Sequence, residues 1–348
     1  MLVALPLLLF GPGFLIERAL RLDTPALPGL RPSLWLGLSL CTIALLYEWA
    51  GVIGLALTTP LLSALALGVG LGVLWRMWQI RDTSHSPKGP NPQLLPILHP
   101  AWALALLAVL ALTLWTRAEQ VRDLALPNWV DSVHPALLIR VAAERGAPPL
   151  DLRPYLPISE IPYHWGYHVF VAALMQITGA SLPMAMLVSG QALNALHALA
   201  AAGLACYLWR RPVAGLVAAV VVGVISIMPA YYVSWGRYTQ LSGLLLLAPI
   251  LICWLELLRA PGWRPAALLA LLLAGLSLIH FVVLVFALGF LLVSGASWLL
   301  RNSQPEVGSK QSATRSATAG CRLPTTTLIA VMAARALAAL WLWLLLRR

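Results

Sequence analysis

The sequence predicts an all-α protein, a polytopic bundle of about ten transmembrane helices with a large external loop carrying helices that lie along the membrane. Three observations predict it. Of 348 residues, 60% are hydrophobic and only 10% charged, against about 45–50% and about 25% in soluble domains. Several apolar runs reach the roughly 20 residues that a helix needs to cross a bilayer. Basic residues stand singly at the ends of those runs, where topology and lipid head groups account for them. The net charge of +11 therefore points to membrane lipids as partners and not to nucleic acid, since no Lys/Arg cluster is interleaved with aromatics. Cys41, Cys206, Cys253 and Cys321 lie far apart and suggest neither a disulfide framework nor a metal knuckle.

Span 1 runs from about Leu2 to Ile16 and contains Gly11-Pro12-Gly13. It lacks a basic leader and a small-residue cleavage site, so it reads as a span and not a signal peptide. Span 2 is about Ser33 to Leu57, with Glu48 near its far end. In span 3, about Pro60 to Trp78, Gly68, Gly70 and Gly72 predict close helix packing. The stretch from Arg81 to Pro100 is a loop by composition, and span 4 follows from Ala101 to Trp115. The long polar loop, Arg117 to Pro162, comes next. Within it Asp131 to Arg145 reads as an amphipathic helix with Val133, Leu137 and Val141 on one face, stopped by Gly146. The apolar stretch Tyr163 to Thr178 is short for a crossing and reads as a half-embedded helix.

Span 6 is about Leu182 to Trp209, span 7 Val213 to Ile227, span 8 Leu241 to Leu258, and spans 9 and 10 fill Pro265 to Leu300 around His280. The domain organisation is thus 1–116 N-terminal helices, 117–181 external loop, 182–300 core, 301–323 cytoplasmic linker and 324–348 a last apolar run. Arg335 sits out of place in that run, and the chain is expected to be truncated or altered after about Ser303. If Tyr163–Thr178 does not cross, Arg18, Arg21, Arg31, Arg76, Arg81, Lys88, Arg210, Arg211, Arg259, Arg264 and Arg301 all share one face. The positive-inside rule makes that face cytoplasmic and the 117–181 loop external.

Chemistry is expected where polar residues gather. Six of the 12 acidic residues lie between Glu119 and Glu160, and three of the 7 histidines, His134, His164 and His168, lie nearby. Asp131 and His134, three apart, share a helix face. Asp131 could accept a proton from a hydroxyl or coordinate a divalent cation, with His134 orienting it, or it could simply cap the helix. His164 and His168 are spaced i, i+4, but Trp165 stands where a zinc-protease helix carries its glutamate. An interfacial aromatic belt or a substrate contact fits them better than a metal site. Arg237, in Trp235-Gly236-Arg237-Tyr238, could grip a phosphate or snorkel to head groups. His280 is costly at its depth unless partnered. Gln191, Asn194 and His197 suggest interhelical hydrogen bonds, and Glu256 with Arg259 a surface pair.

The order of these features is similar to that in the integral-membrane glycosyltransferases of the GT-C class, especially bacterial members. A span, Ala101–Trp115, leads to a loop with an early Asp131. The stretch IPYHWGYHVFVAALMQITG follows, then a span ending in LWRRPVAGLVAAVV. The resemblance covers about Ala101 to Leu300. It implies a multi-pass enzyme of the bacterial plasma membrane and cell envelope. Such an enzyme moves a sugar from a polyprenyl-phosphate carrier to an acceptor at the external face. Asp131 would be acid/base, Arg237 and His280 would hold the carrier phosphate, and Arg140 and Arg153 are further phosphate candidates. The class often has two neighbouring carboxylates, whereas Asp131 is followed by Ser132, Val133 and His134. A transporter or lipid flippase, which usually shows inverted repeats not found here, and an inactive membrane subunit are the alternatives.

Overall fold

The computed structural model describes residues 1–20, 29–83, 100–161 and 163–302. The expected loop over Arg81–Pro100 lies mostly outside these residues. The linker from residue 303 on, the last apolar run with Arg335, Lys88 and Cys321 lie outside them. Among the described residues every regular element is a helix. Four helices open the chain: α1 Ala4–Leu20, α2 Leu30–Val52, α3 Thr59–Thr83 and α4 Pro100–Glu119. A 3₁₀ turn, Val130–Ser132, introduces α5 Val133–Arg145, and α6 Gly166–Thr178 follows. Then come α7 Leu182–Trp209, α8 Pro212–Val220 with a π turn at Val221–Ile225, α9 Ala230–Ser234 and α10 Tyr238–Leu245. The series closes with α11 Leu247–Arg259, α12 Trp263–Ile279 and α13 Phe281–Asn302.

Among the described residues seven stretches are long and apolar enough to span a bilayer: Leu30–Val52, Thr59–Gln79, Pro100–Glu119, Leu182–Trp209, Pro212–Ser234, Tyr238–Arg259 and Phe281–Leu300. Helices in lipid gain little from hydrophobic burial, because acyl chains are as apolar as leucine, so close packing through small residues has to hold them together. The contacts are built that way. Gly13 rests on the Trp35 backbone, Gly275 on Cys41 and Gly215 on Cys206, each with no room for a Cβ. The glycines of span 3 do not play this part. Gly68 faces open space and Gly70 barely touches Leu7, leaving only Gly72 in close contact with α1, at Leu15. Period alone could not show that most of α3 faces outward.

Neighbouring helices place the arginines together. Arg18 and Arg31 flank the buried Glu17 at 3.7 and 4.0 Å. At the adjoining ends of α7 and α11, Arg210 and Arg259 flank Glu256 at 3.9 and 3.7 Å. Gly29, beside Arg31, packs on Gly203 of α7 and ties the two groups to one end of the bundle. The 117–165 segment lies at the other end. There α5 does not bury the expected Val133–Leu137–Val141 face, since Val133 is 67% exposed. Ile139 and Ala142 join the main core, while Leu138 and Val141 join Leu152 in a smaller cluster. The helix is wedged between α6 and the 147–161 strap, so it needs two apolar faces.

Helix α6 is about 20 Å long at 1.5 Å per residue, too short for a hydrocarbon core of roughly 30 Å. It is enclosed by protein, with every residue from Gly166 to Leu174 buried. Gly146 ends α5 and Gly179 ends α6, both in the left-handed conformation (φ 61° and 67°) that glycine adopts without strain. Gln176 donates Nε2 to the Ala143 carbonyl at 2.9 Å and lies 3.3 Å from the Tyr47 hydroxyl, joining α2, α5 and α6. Within α7, Asn194 donates to Gln191 Oε1 at 3.3 Å, a bond inside the helix where one between helices was expected. Arg259 and Glu256 pair as anticipated.

Candidate functional site

The start of α6 is pinned where Trp165 N–H donates to Leu278 O at 2.9 Å, near the end of α12. That bond brings the residues before α6 against His280, which interrupts the α12–α13 hairpin. The His164 and His280 ring centroids are 4.5 Å apart, and Tyr163 stacks on His164 at 4.0 Å. His164 Nε2 lies 3.0 Å from Thr239 Oγ1 at the start of α10. His280 Nδ1 accepts the Val283 N–H at 3.2 Å, which assigns the proton of the neutral ring to Nε2.

The turn before α10 completes the arrangement. Gly236 has φ 71°, and a Cβ there would stand 2.6 Å from Ser132 Oγ and 2.7 Å from Ser132 N. Glycine thus lets the Trp235-Gly236-Arg237 turn lie directly on the Val130–Ser132 turn. Arg237 is exposed and sits over the Trp235 ring, 5.3 Å from its centroid. Ser132 donates its hydroxyl to Asn128 O and holds the turn from the other side. Neither this turn nor α5 has a side-chain cap, so Asp131 has not been drawn into capping.

The result is a cavity of about 690 Å³. Its polar lining is Asp131, His134, Glu160, Tyr163, Arg237, Thr239, Gln240 and His280. Its apolar wall comes from α5 and the strap, with Leu138, Leu152, Leu156 and Ile161 among the contributors. The strap holds its shape through its own backbone: Leu152 N–H donates to Ile158 O at 2.9 Å and Ile161 N–H to Leu150 O at 3.0 Å. A carboxylate, a guanidinium and an imidazole therefore face one hollow half lined by aliphatic side chains. Such a site can hold an anionic group on Arg237 and His280 while Asp131 accepts a proton.

Of the residues expected from sequence, Asp131, His134, Arg237 and His280 come together here. No hydrogen bond links Asp131 to His134 among the described residues. His164 stands in a second layer behind Tyr163, Thr239 and His280, and His168 lies deeper, fully buried, 6.0 Å from the Tyr163 ring. Arg140 and Arg153 lie outside the cavity. Arg140 pairs with Glu144 at 2.9 Å, and Arg153 grips Asp151 at 2.6 Å. Each arginine holds its carboxyl group below the usual range, Asp151 at about 2. Sequence reasoning missed Tyr163, Thr239 and Gln240 as lining residues. Their one signal was position, each within three residues of an expected site residue. Among the described residues no group of three or more His, Cys, Asp or Glu side chains is placed to hold a metal ion.

Burial pushes the Tyr163 phenol above its ordinary value, and the Asp131 charge adds to the rise. Burial, followed by the neighbouring His280 and His168, pushes His164 down to about 2. A histidine lowered in the folded state binds its proton only after unfolding. Between pH ~6.5, the ordinary value, and about 2, the unfolded chain holds more protons, so stability falls as pH falls. The unfolding temperature in detergent should therefore drop steadily from pH 6.5 to 4.5. His164→Gln should flatten the slope, and an unchanged slope would show that His164 does not carry it.

These features define a helical integral membrane protein with a polar cavity at the end of the bundle opposite its arginine clusters. The chain belongs to DUF6541, a family of unknown function, whose model matches residues 7–348. No curated protein and no solved structure matches it.

Proposed function

We propose that the protein is a membrane glycosyltransferase of the GT-C type. It moves a sugar from a polyprenyl-phosphate carrier to a hydroxyl acceptor at the external face of a bacterial plasma membrane. The observation that carries this reading is that Asp131, Arg237 and His280 line one cavity. In the reaction, Asp131 takes the acceptor's hydroxyl proton and the freed oxygen attacks the anomeric carbon. The bond from that carbon to the phosphate oxygen breaks, and the electron pair leaves with the carrier phosphate. Attack opposite the leaving group inverts the anomeric centre. Arg237 and His280 Nε2–H hold the phosphate as its charge grows, which is where fixed donors lower a barrier most. The aliphatic wall of α5 and the strap accommodates the first isoprene units. Glu160, on the same cavity, gives it a second carboxylate.

The orientation belongs to the same proposal. The arginine ends face the cytoplasm and the 117–181 loop faces outward, with α6 as its half-embedded helix. The seven long stretches with α1 and α12 make nine spans among the described residues, in line with a bundle of about ten. In a chain with its native cysteines replaced, a cysteine at Ser181 should label from outside and one at Val213 from the cytoplasm. The opposite pattern would invert the assignment.

The activity is tested by incorporation of labelled sugar from polyprenyl-phosphate hexoses into membranes expressing the chain. Wild type should exceed empty membranes. Arg237→Ala should raise the KM for the donor about 10- to 100-fold, the loss of one charge-assisted contact. Incorporation no greater than in empty membranes would remove the reading.

A further inference from the structure

A second cavity, about 320 Å³, lies on the other side of the Ser132–Gly236 contact. The residues after α4 contribute Gln120, Val121, Leu124 and Asn128. Ile227, Tyr231 and Ser234 also line it, with Gln191 of α7 and Tyr238 completing the polar lining. No charged residue lines it. Arg117, in the last turn of α4, turns its Nη2 onto Gly223 O at 3.1 Å and is not part of the lining. The polar lining thus consists of amides, hydroxyls and aromatic rings.

Gln191 is 5% exposed, and its Oε1 accepts from Asn194, which leaves its NH₂ as the group available to a ligand. Tyr231 packs against Trp235 at 4.4 Å and sets an aromatic edge on the rim. The surroundings are apolar. Helix α4 and the Pro212–Ser234 run bury little of themselves in the bundle. Next to the cavity, Val224, Ile225 and Ile227 are 49%, 71% and 69% exposed. A molecule held here has a neutral polar pocket for its head and exposed apolar side chains beside it for its tail.

We propose that this cavity binds the neutral, hydroxyl-rich head of a membrane-anchored amphiphile, the head group chemistry of a glycolipid. The site is separate from the one that carries the transferase reading, since none of Asp131, Arg237 and His280 lines it, so the molecule held here is not the reacting acceptor. Planar amides donate and accept in pairs to vicinal hydroxyls, and aromatic edges cover the apolar faces of sugar rings. An anionic head would find no cation in the lining.

The test uses the full chain in phosphatidylcholine nanodiscs with a photoreactive octyl glucoside, and cross-linked peptides are located by mass spectrometry. Cross-links should fall within 120–128, 187–191 and 227–238. Excess octyl glucoside should suppress them, while octyl phosphate and free glucose should not. Gln191→Leu should weaken labelling about tenfold, the cost of one buried hydrogen-bonding group. Ser234→Ala, on an exposed position and harmless to folding, should weaken it measurably, and Asp131→Asn should leave it unchanged. Suppression by octyl phosphate would overturn the neutral head group. Equal suppression by glucose would overturn the amphiphile. Labelling scattered over other peptides, or unmoved by either cavity variant, would overturn the site. Intact labelling without sugar transfer would remove the transferase reading and keep this site, and the reverse result would remove the site alone.

Discussion

Asp131→Asn should lower kcat for sugar transfer about 10²- to 10⁴-fold, the usual contribution of a positioned acid/base, or about 3–5 kcal/mol of barrier. The KM for the polyprenyl donor should stay within about threefold of wild type, because an interaction made only in the transition state leaves ground-state binding alone. The change is nearly isosteric, and Asp131 is exposed at the cavity without capping a helix. The fold should therefore survive, with an unfolding temperature close to wild type. His134→Gln is the companion. If His134 orients Asp131, its loss should cost far less than that of Asp131 itself. Glu160→Gln separates the two carboxylates of the cavity. A defect in Glu160→Gln as deep as in Asp131→Asn would make the pair act together. Full turnover in Asp131→Asn would take Asp131 out of the mechanism, whatever the other residues do.

The sequence made the long spans legible because nothing in them competes with the apolar run. Leu182–Trp209 was read to the residue, framed by Ser181-Leu182-Pro183 and by Arg210-Arg211. Asp131, Arg237 and His280 were legible for a different reason. In a chain so poor in charge, a polar group at a span end is expensive and stands out. Their convergence was not legible. It depends on Gly236 lying against Ser132 and on Trp165 N–H reaching Leu278, contacts more than a hundred residues apart along the chain. The apolar wall was hidden too, because the strap's shape is set by its own backbone bonds and no periodicity marks it. Period failed in α5, which serves two cores at once. The place of Arg140 outside the cavity had a local cue, since Glu144 four residues on is a standard helix partner. The break between α10 and α11 and the π turn after α8 leave no mark in an unbroken apolar run.

Gly236→Val should be strongly destabilising. Its backbone sits at φ 71°, where a β-branched residue is a steric outlier costing roughly 1–2 kcal/mol. Gly54 separates this torsional cost from the contact, because it has the same φ of 71° and nothing within 4 Å of a Cβ. Gly54→Val should therefore cost only the torsion. Gly236→Val adds a collision with Ser132 N and Asp131 C, at 2.7 and 3.0 Å. These are backbone atoms that cannot rotate aside, and overpacking of this kind adds about 1–3 kcal/mol. Ser132→Ala should not rescue it, since removing the hydroxyl leaves the backbone in place. Pushing the two turns apart moves Asp131 away from Arg237, so transfer should fall even in the fraction that remains folded. Measured unfolding temperatures should rank wild type, Gly54→Val, then Gly236→Val. Equal losses in the two variants would mean that the Ser132–Gly236 contact holds nothing together, and that the alignment of Asp131 with Arg237 has another origin.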